Sequence, residues 1–171
     1  MNILKILESY KNSDQVAMIS NDKRITYCQL WDQSNRLATY LKKQYKENKT
    51  PVIVYGHKNP LMLVAFLACA KSGRAYVPID INVPRKRIES IIDSVDPKLI
   101  LTTEDFSTYK EYSCINIAED SCVFEPESEI TSKDWIKEDE VYYIIFTSGS
   151  TGNPKGVQIT YSALNHFTEW A

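Results

Sequence analysis

The chain has 171 residues, 43% of them hydrophobic and 25% charged, with a net charge of −2. That suits one globular domain with room for a real core, while the even mixing of acids and bases, with no basic stripe among aromatics, argues against nucleic acid as a partner. The longest uncharged apolar run, Leu61 to Ala70, is about half the ~20 residues of a membrane helix, so it reads as a buried core helix and no membrane insertion is expected.

In chain order, Ile3, Ile6, Leu7 and Tyr10 mark one face of a short helix. Val16 to Ser20 reads as a strand turned at Asn21-Asp22 toward Ile25, a hairpin. Thr26 with Gln29 three positions on has the form of a capping box, and Leu30, Leu37, Ala38 and Leu41 continue the apolar stripe of a helix ending near Tyr45. After the polar stretch Lys46 to Thr50 the pattern becomes β-α-β-α-β. Val52 to Tyr55 is an apolar strand, Asn59-Pro60 opens a helix that stops at Gly73, and Ala75 to Ile79 is the next strand. Pro84 begins a helix with Ile88, Ile91, Ile92 and Val95 on one face, and Asp96-Pro97 ends it before a strand from Leu99 to Thr102. The cluster Arg85-Lys86-Arg87 reads as a solvated helix face. Ser113 to Ile117 is a candidate strand, and the acidic stretch Glu119 to Glu140 reads as a surface loop. Strands alternating with helices predict an α/β fold, a mainly parallel sheet flanked by helices.

The cysteines Cys28, Cys69, Cys114 and Cys122 form no CxxC pair, and His57 and His166 lie far apart in sequence. Metal-ligand spacing is missing, so no metal site is expected. Lys5 and Glu8 interrupt the N-terminal apolar residues, which does not fit a signal peptide; the cysteines read as reduced thiols of a cytoplasmic protein, and Cys69 as a small buried hydrophobe. His57, after a strand, reads as a turn residue.

Three of the five glycines fall in one short stretch, Tyr142 to Thr160. Its apolar start, Tyr142 to Phe146, gives way to Thr147-Ser148-Gly149-Ser150-Thr151-Gly152-Asn153-Pro154-Lys155-Gly156, and alternation resumes at Val157 and Ile159. Glycines let backbone N–H groups approach a ligand closely, four hydroxyls and an ammonium add donors, and no acidic side chain is present. This is the composition of an anion cradle. Pro154 before Lys155 and Gly156 after it exclude a Walker A loop, and Gly149 followed two positions later by Thr151 excludes the dinucleotide G-x-G-x-x-G.

The run FTSGSTGNPKG resembles the signature phosphate loop of the adenylate-forming superfamily, although Phe146 stands where that family more usually has Tyr. ITYCQL (Ile25 to Leu30) and AKSGRAYVPIDINVPRKRI (Ala70 to Ile88) resemble its first and second core motifs, in the family's order. Gly73, Tyr76, Pro78 and Asp80 within the second motif read as structural punctuation. PVIVYGHKNP (Pro51 to Pro60) and the stretch from Pro154 to Ala171 look most like the branch that charges a carrier protein with D-alanine for teichoic acid D-alanylation.

The resemblance implies ATP and Mg²⁺ as cofactors, D-alanine and the phosphopantetheine arm of a carrier protein as partners, and Thr147, Ser148, Gly149, Ser150, Thr151, Gly152 and Lys155 as phosphate-binding residues. It also implies that the amino acid pocket, the adenine and ribose contacts and the catalytic lysine of a small C-terminal domain belong to sequence beyond this stretch. Residues 1–171 are therefore expected to form a single partial domain, the N-terminal portion of the large domain, with no catalytic residue of its own, inactive alone and prone to self-association. An acyl-CoA synthetase, a peptide-synthetase adenylation domain and a non-catalytic phosphate-binding module are the alternative readings.

Overall fold

The computed structural model describes residues 2–20, 22–46, 48–107, 112–125, 127–148 and 154–170. The chain opens with helix α1 (Ile3–Ser9), followed by a hairpin of β1 (Val16–Ser20) and β2 (Lys23–Thr26). Thr26 then caps the long helix α2 (Tyr27–Tyr45): its hydroxyl accepts from the Gln29 amide at 3.2 Å while Gln29 Oε1 accepts from the Thr26 amide at 3.0 Å. The expected capping box is formed, satisfying amides that a helix start otherwise leaves unpaired.

Strand β3 (Val52–Gly56) leads to helix α3 (Pro60–Lys71), whose N-cap Asn59 accepts from the Leu61 amide at 3.1 Å. Gly73, at φ +69°, turns the chain toward β4 (Tyr76–Asp80). Helix α4 (Arg85–Val95) follows and ends at Asp96 in the left-handed region, before β5 (Ile100–Thr102) and β6 (Cys114–Asn116). The chain then runs through a short 3₁₀ turn at Ser121–Phe124 to β7 (Val141–Ser148), β8 (Pro154–Thr160) and α5 (Tyr161–Trp170).

The main sheet has six strands in the order β6-β5-β3-β4-β7-β8. Pairing is parallel from β6 through β7, and only β8 runs antiparallel. All five residues of β3 are buried, because side chains alternate between two covered faces. Val52 and Val54 join α2 and α3 through Leu37, Leu41, Val64 and Ala68. Ile53 and Tyr55 join α4 through Ile88, Ile91 and Ile92. Each fully buried aliphatic side chain stabilises by roughly 1.5–3 kcal/mol. Among the described residues no helix is long and apolar enough to cross a membrane.

The segment Glu119 to Glu140 corrects the expectation of a surface loop. Val123, Trp135 and Ile136 are buried in the α2–α3 face of the core, and the Ile136 amide donates to the Ala70 carbonyl at 2.8 Å. Around them the charged residues stay at the rim: Asp134 pairs with Lys42 at 2.6 Å and Glu140 with Lys49 at 2.7 Å. An irregular segment with isolated apolar anchors has no periodicity to betray its burial.

Lys71, at the end of α3, is fully buried. Its Nζ lies 2.8 Å from both Ser34 Oγ and Asn35 Oδ1, 3.3 Å from the Trp31 carbonyl and 3.3 Å from the centroid of the Trp31 ring. Burial pushes its pKa from 10.5 down to about 6, against the opposing pull of Glu8 and Asp32. Between those two values the unfolded chain binds more protons than the folded one, so this group makes folding stability rise with pH across that window. Its contribution is complete above pH 10.5 and is lost as pH falls toward 6. Urea denaturation of the chain and of Lys71→Met between pH 6.5 and 9 checks this: the parent gains stability relative to the variant as pH rises, and parallel curves would show that Lys71 stays charged throughout.

Candidate functional site

The anion cradle expected from the sequence is flanked by two paired strand ends, those of β7 and β8. Strands β7 and β8 pair antiparallel with Phe146 opposite Gly156, Thr147 opposite Lys155 and Ser148 opposite Pro154. The register therefore sets a hydroxyl and an ammonium on facing positions at the ends of the two strands that flank residues 149–153. Thr147 and Lys155 are both exposed, and Lys155 has no ion pair among the described residues. Ser148 is the last residue of β7, whereas Gly149, Ser150, Thr151 and Gly152, with Asn153, lie outside the described residues.

Gly156 is used for close packing. A Cβ there would come within 3.0 Å of Ile144 Cγ2 and 3.2 Å of Phe146 Cζ, so the glycine lets both side chains of β7 lie against the backbone of β8. Ile144 and Phe146 in turn pack on the α4 face of the core. An apolar foot thus anchors a polar tip.

Beside this foot, between the C-terminal ends of β4 and β7, lies a cleft of about 320 Å³ lined by Pro78, Asp80, Asn82, Arg87 and Phe146 among others. Asp80 organises its rim. One carboxylate oxygen accepts from the Asn82 amide at 2.9 Å and its side-chain nitrogen at 2.7 Å, and the other lies 2.7 Å from His57 Nδ1. The Asn82 amide, followed by His57, holds the Asp80 carboxyl below the usual carboxylate range. His57, read as a turn residue, is thereby tied across the sheet from the end of β3 to the end of β4. Arg87 departs from the solvated face expected of its cluster: its Nη2 donates to the Phe146 carbonyl at 3.0 Å. Neither link was legible, because each joins residues far apart in sequence.

Residues 8–171 match the family described as AMP-binding enzyme. The chain belongs to that family. It is 38% identical over 177 residues to a D-alanine--D-alanyl carrier protein ligase of Bacillus cytotoxicus, covering 100% of this chain and 35% of the relative. A protein of the same name from Bacillus licheniformis is 38% identical over 174 residues, covering 99% and 34%. The chain thus spans about a third of the length of the curated relatives it matches. Among solved structures, the O-succinylbenzoate coenzyme A synthetase of Bacillus subtilis in complex with AMP superposes with a TM-score of 0.76 at 22% identity, covering 95% of this chain and 43% of that one. The N-terminal subdomain of Klebsiella oxytoca NpsA in complex with 3-hydroxyanthranilyl-AMSN gives 0.74 at 22% identity, covering 94% and 40%. These likenesses show the fold, that of the N-terminal domain of adenylate-forming enzymes.

In this member of the family the exit of β3 is built tightly. A Cβ on Gly56 would collide with Thr103 Oγ1 and approach Met62 Sδ at 3.0 Å, and the Thr103 hydroxyl is buried without a hydrogen-bond partner among the described residues. Overpacking of this kind typically costs about 1–3 kcal/mol. Gly56→Ala should lower the urea midpoint accordingly, and Thr103→Ala, which removes the colliding oxygen, should restore most of the loss in the double variant. Additive losses in the four-member cycle would contradict that contact.

Proposed function

We propose that this chain supplies the phosphate-binding side of an ATP-dependent ligase that adenylates D-alanine and passes it as a thioester to the phosphopantetheine arm of a carrier protein for teichoic acid D-alanylation. The observation that carries the reading is the register placing Thr147 opposite Lys155 at the mouth of a hydroxyl-rich hairpin without acidic residues. The substrate class comes from the D-alanine ligases that the chain resembles along its whole length. A triphosphate fits this donor set: hydroxyls and backbone amides can surround its oxygens, a compact ammonium can meet its charge, and no carboxylate opposes it. Thr147, Ser148, Gly149, Ser150, Thr151, Gly152 and Lys155 hold the phosphates while a carboxylate oxygen attacks the α-phosphorus and pyrophosphate leaves. Mg²⁺, bound to the nucleotide, would neutralise phosphate charge.

The reading places the protein in the cytoplasm, where ATP is available. It also assigns adenine, ribose and amino acid contacts to regions other than residues 1–171. Positioning can account for ~7–11 kcal/mol of a barrier, and the hairpin offers only one side of the required geometry. Exposed Ile145 and Val157, facing each other beside the free edge of β8, are where the isolated chain would self-associate.

Pyrophosphate exchange with ATP, Mg²⁺ and D-alanine tests both parts. The 171 residues alone should give no D-alanine-dependent exchange. In a complete ligase carrying them, Lys155→Ala should lower exchange by about 10- to 100-fold, the effect of one charge-assisted contact of ~1.5–3 kcal/mol. Unchanged exchange in the variant, or robust exchange by the isolated chain, would overturn the proposal.

A further inference from the structure

The phosphate-loop hairpin is joined to the parallel sheet more weakly than its length suggests. β7 has eight residues, yet its ladder with β4 contains the single pair Tyr76 opposite Tyr143. The reason lies in β4. The Val52 amide donates to the Ala75 carbonyl at 3.0 Å. Because successive residues of a strand aim their N–H and C=O groups to opposite sides, Ala75, Val77 and Ile79 address β3, and Tyr76, Pro78 and Asp80 address β7. Pro78 has no N–H. The position where the seam with β7 needs its next donor is thus occupied by the one residue that cannot provide it, and beyond this point the strands part around the 320 Å³ cleft.

Extending the register from Tyr76 and Tyr143 sets the Ile144 carbonyl against Pro78, which has no N–H, and the Phe146 carbonyl against the Asp80 amide, which would ordinarily donate to it. It accepts instead from Arg87 Nη2 at 3.0 Å, a guanidinium reaching down from α4. Arg87 makes no ion pair with a carboxylate among the described residues, and it is half-buried against the cleft. Phe146 immediately precedes Thr147, so the bond grips the strand at the root of the loop.

We infer that Arg87 is a positioning residue for the phosphate loop: with the β4–β7 seam broken at Pro78, its guanidinium stands in for the next strand donor, the Asp80 amide, and sets the angle at which the β7–β8 hairpin leaves the sheet. The effect on nucleotide rests on the function proposed above, whereas the mechanical effect does not. A planar guanidinium suits the task because its N–H groups are held in a rigid fork, whereas the donors of an ammonium rotate on a flexible stem. The apolar packing of Ile144 and Phe146 resists displacement of the hairpin out of the sheet; the Arg87 bond resists its sliding away from β4.

Hydrogen exchange tests the mechanical part on the 171-residue chain. In Arg87→Leu, amides of residues 144–148 and 155–158 should exchange about tenfold faster or more, the loss expected of one charged hydrogen bond, while amides of α2, α3 and β3 keep their rates. Arg87→Lys should recover part of the protection. Uniform acceleration across the chain, or no local change, would overturn the inference. In a complete ligase, Arg87→Leu should raise KM for ATP in pyrophosphate exchange by about tenfold. An unchanged KM beside a damaging Lys155→Ala overturns the positioning role and leaves the proposed function standing. If both variants behave like the parent, the proposed function falls as well.

Discussion

The attachment of one antiparallel hairpin to a parallel sheet is the constraint on which the functional end of this molecule depends. A parallel sheet buried on both faces is rigid, and β3 at its centre has the continuous apolar, fully buried sequence that such burial demands. The proposed phosphate loop calls for the opposite character, polar and rich in glycine. The chain reconciles the two by making β7 amphipathic along its length. Tyr142 and Tyr143 belong to the core at one end, while Thr147 and Ser148 begin the loop at the other.

Aromatic packing secures the core end of that strand. Tyr142 lies between Tyr76 and Tyr161, with ring centroids 5.5 Å from each, and Tyr76 stacks on Phe66 at 4.3 Å. Tyr161 then ties the other end of the chain in, accepting from the Leu4 amide at 3.2 Å and donating to Asn2 Oδ1 at 2.7 Å. The residues that follow the hairpin are thus bound to the residues that begin the chain. The strand is held at its start by this aromatic packing and by its pair with β4, and at its end by β8 and the Arg87 bond.

Much of this architecture was legible because its signals are local. The capping box at Thr26 and Gln29, the Asn59-Pro60 helix start, the turn at Gly73 and the spacing of Ile88, Ile91 and Ile92 each lie within a few residues, and each is found in place. The hydroxyl-glycine stretch was read from the same kind of local signal, and Gly149 to Gly152 lie outside the described residues. What escaped was decided by distant partners. Val123, Trp135 and Ile136 are single apolar residues in an acidic stretch and gain their burial from α2 and α3. Lys71 looks like an ordinary end to an apolar helix until Ser34 and Asn35 close around it. Arg87 shares a basic cluster with Arg85, which forms an i,i+4 pair with Glu89 on the same helix, and only the passage of β7 gives Arg87 a different task.

The central claim is that the β7–β8 hairpin binds phosphate. Backbone amide chemical shifts recorded while the chain is titrated with inorganic pyrophosphate test it most directly, because they locate the ligand without requiring turnover. The account predicts saturable shifts concentrated on residues 147–156. Shifts absent from that stretch, or centred on another surface of the molecule, would contradict it.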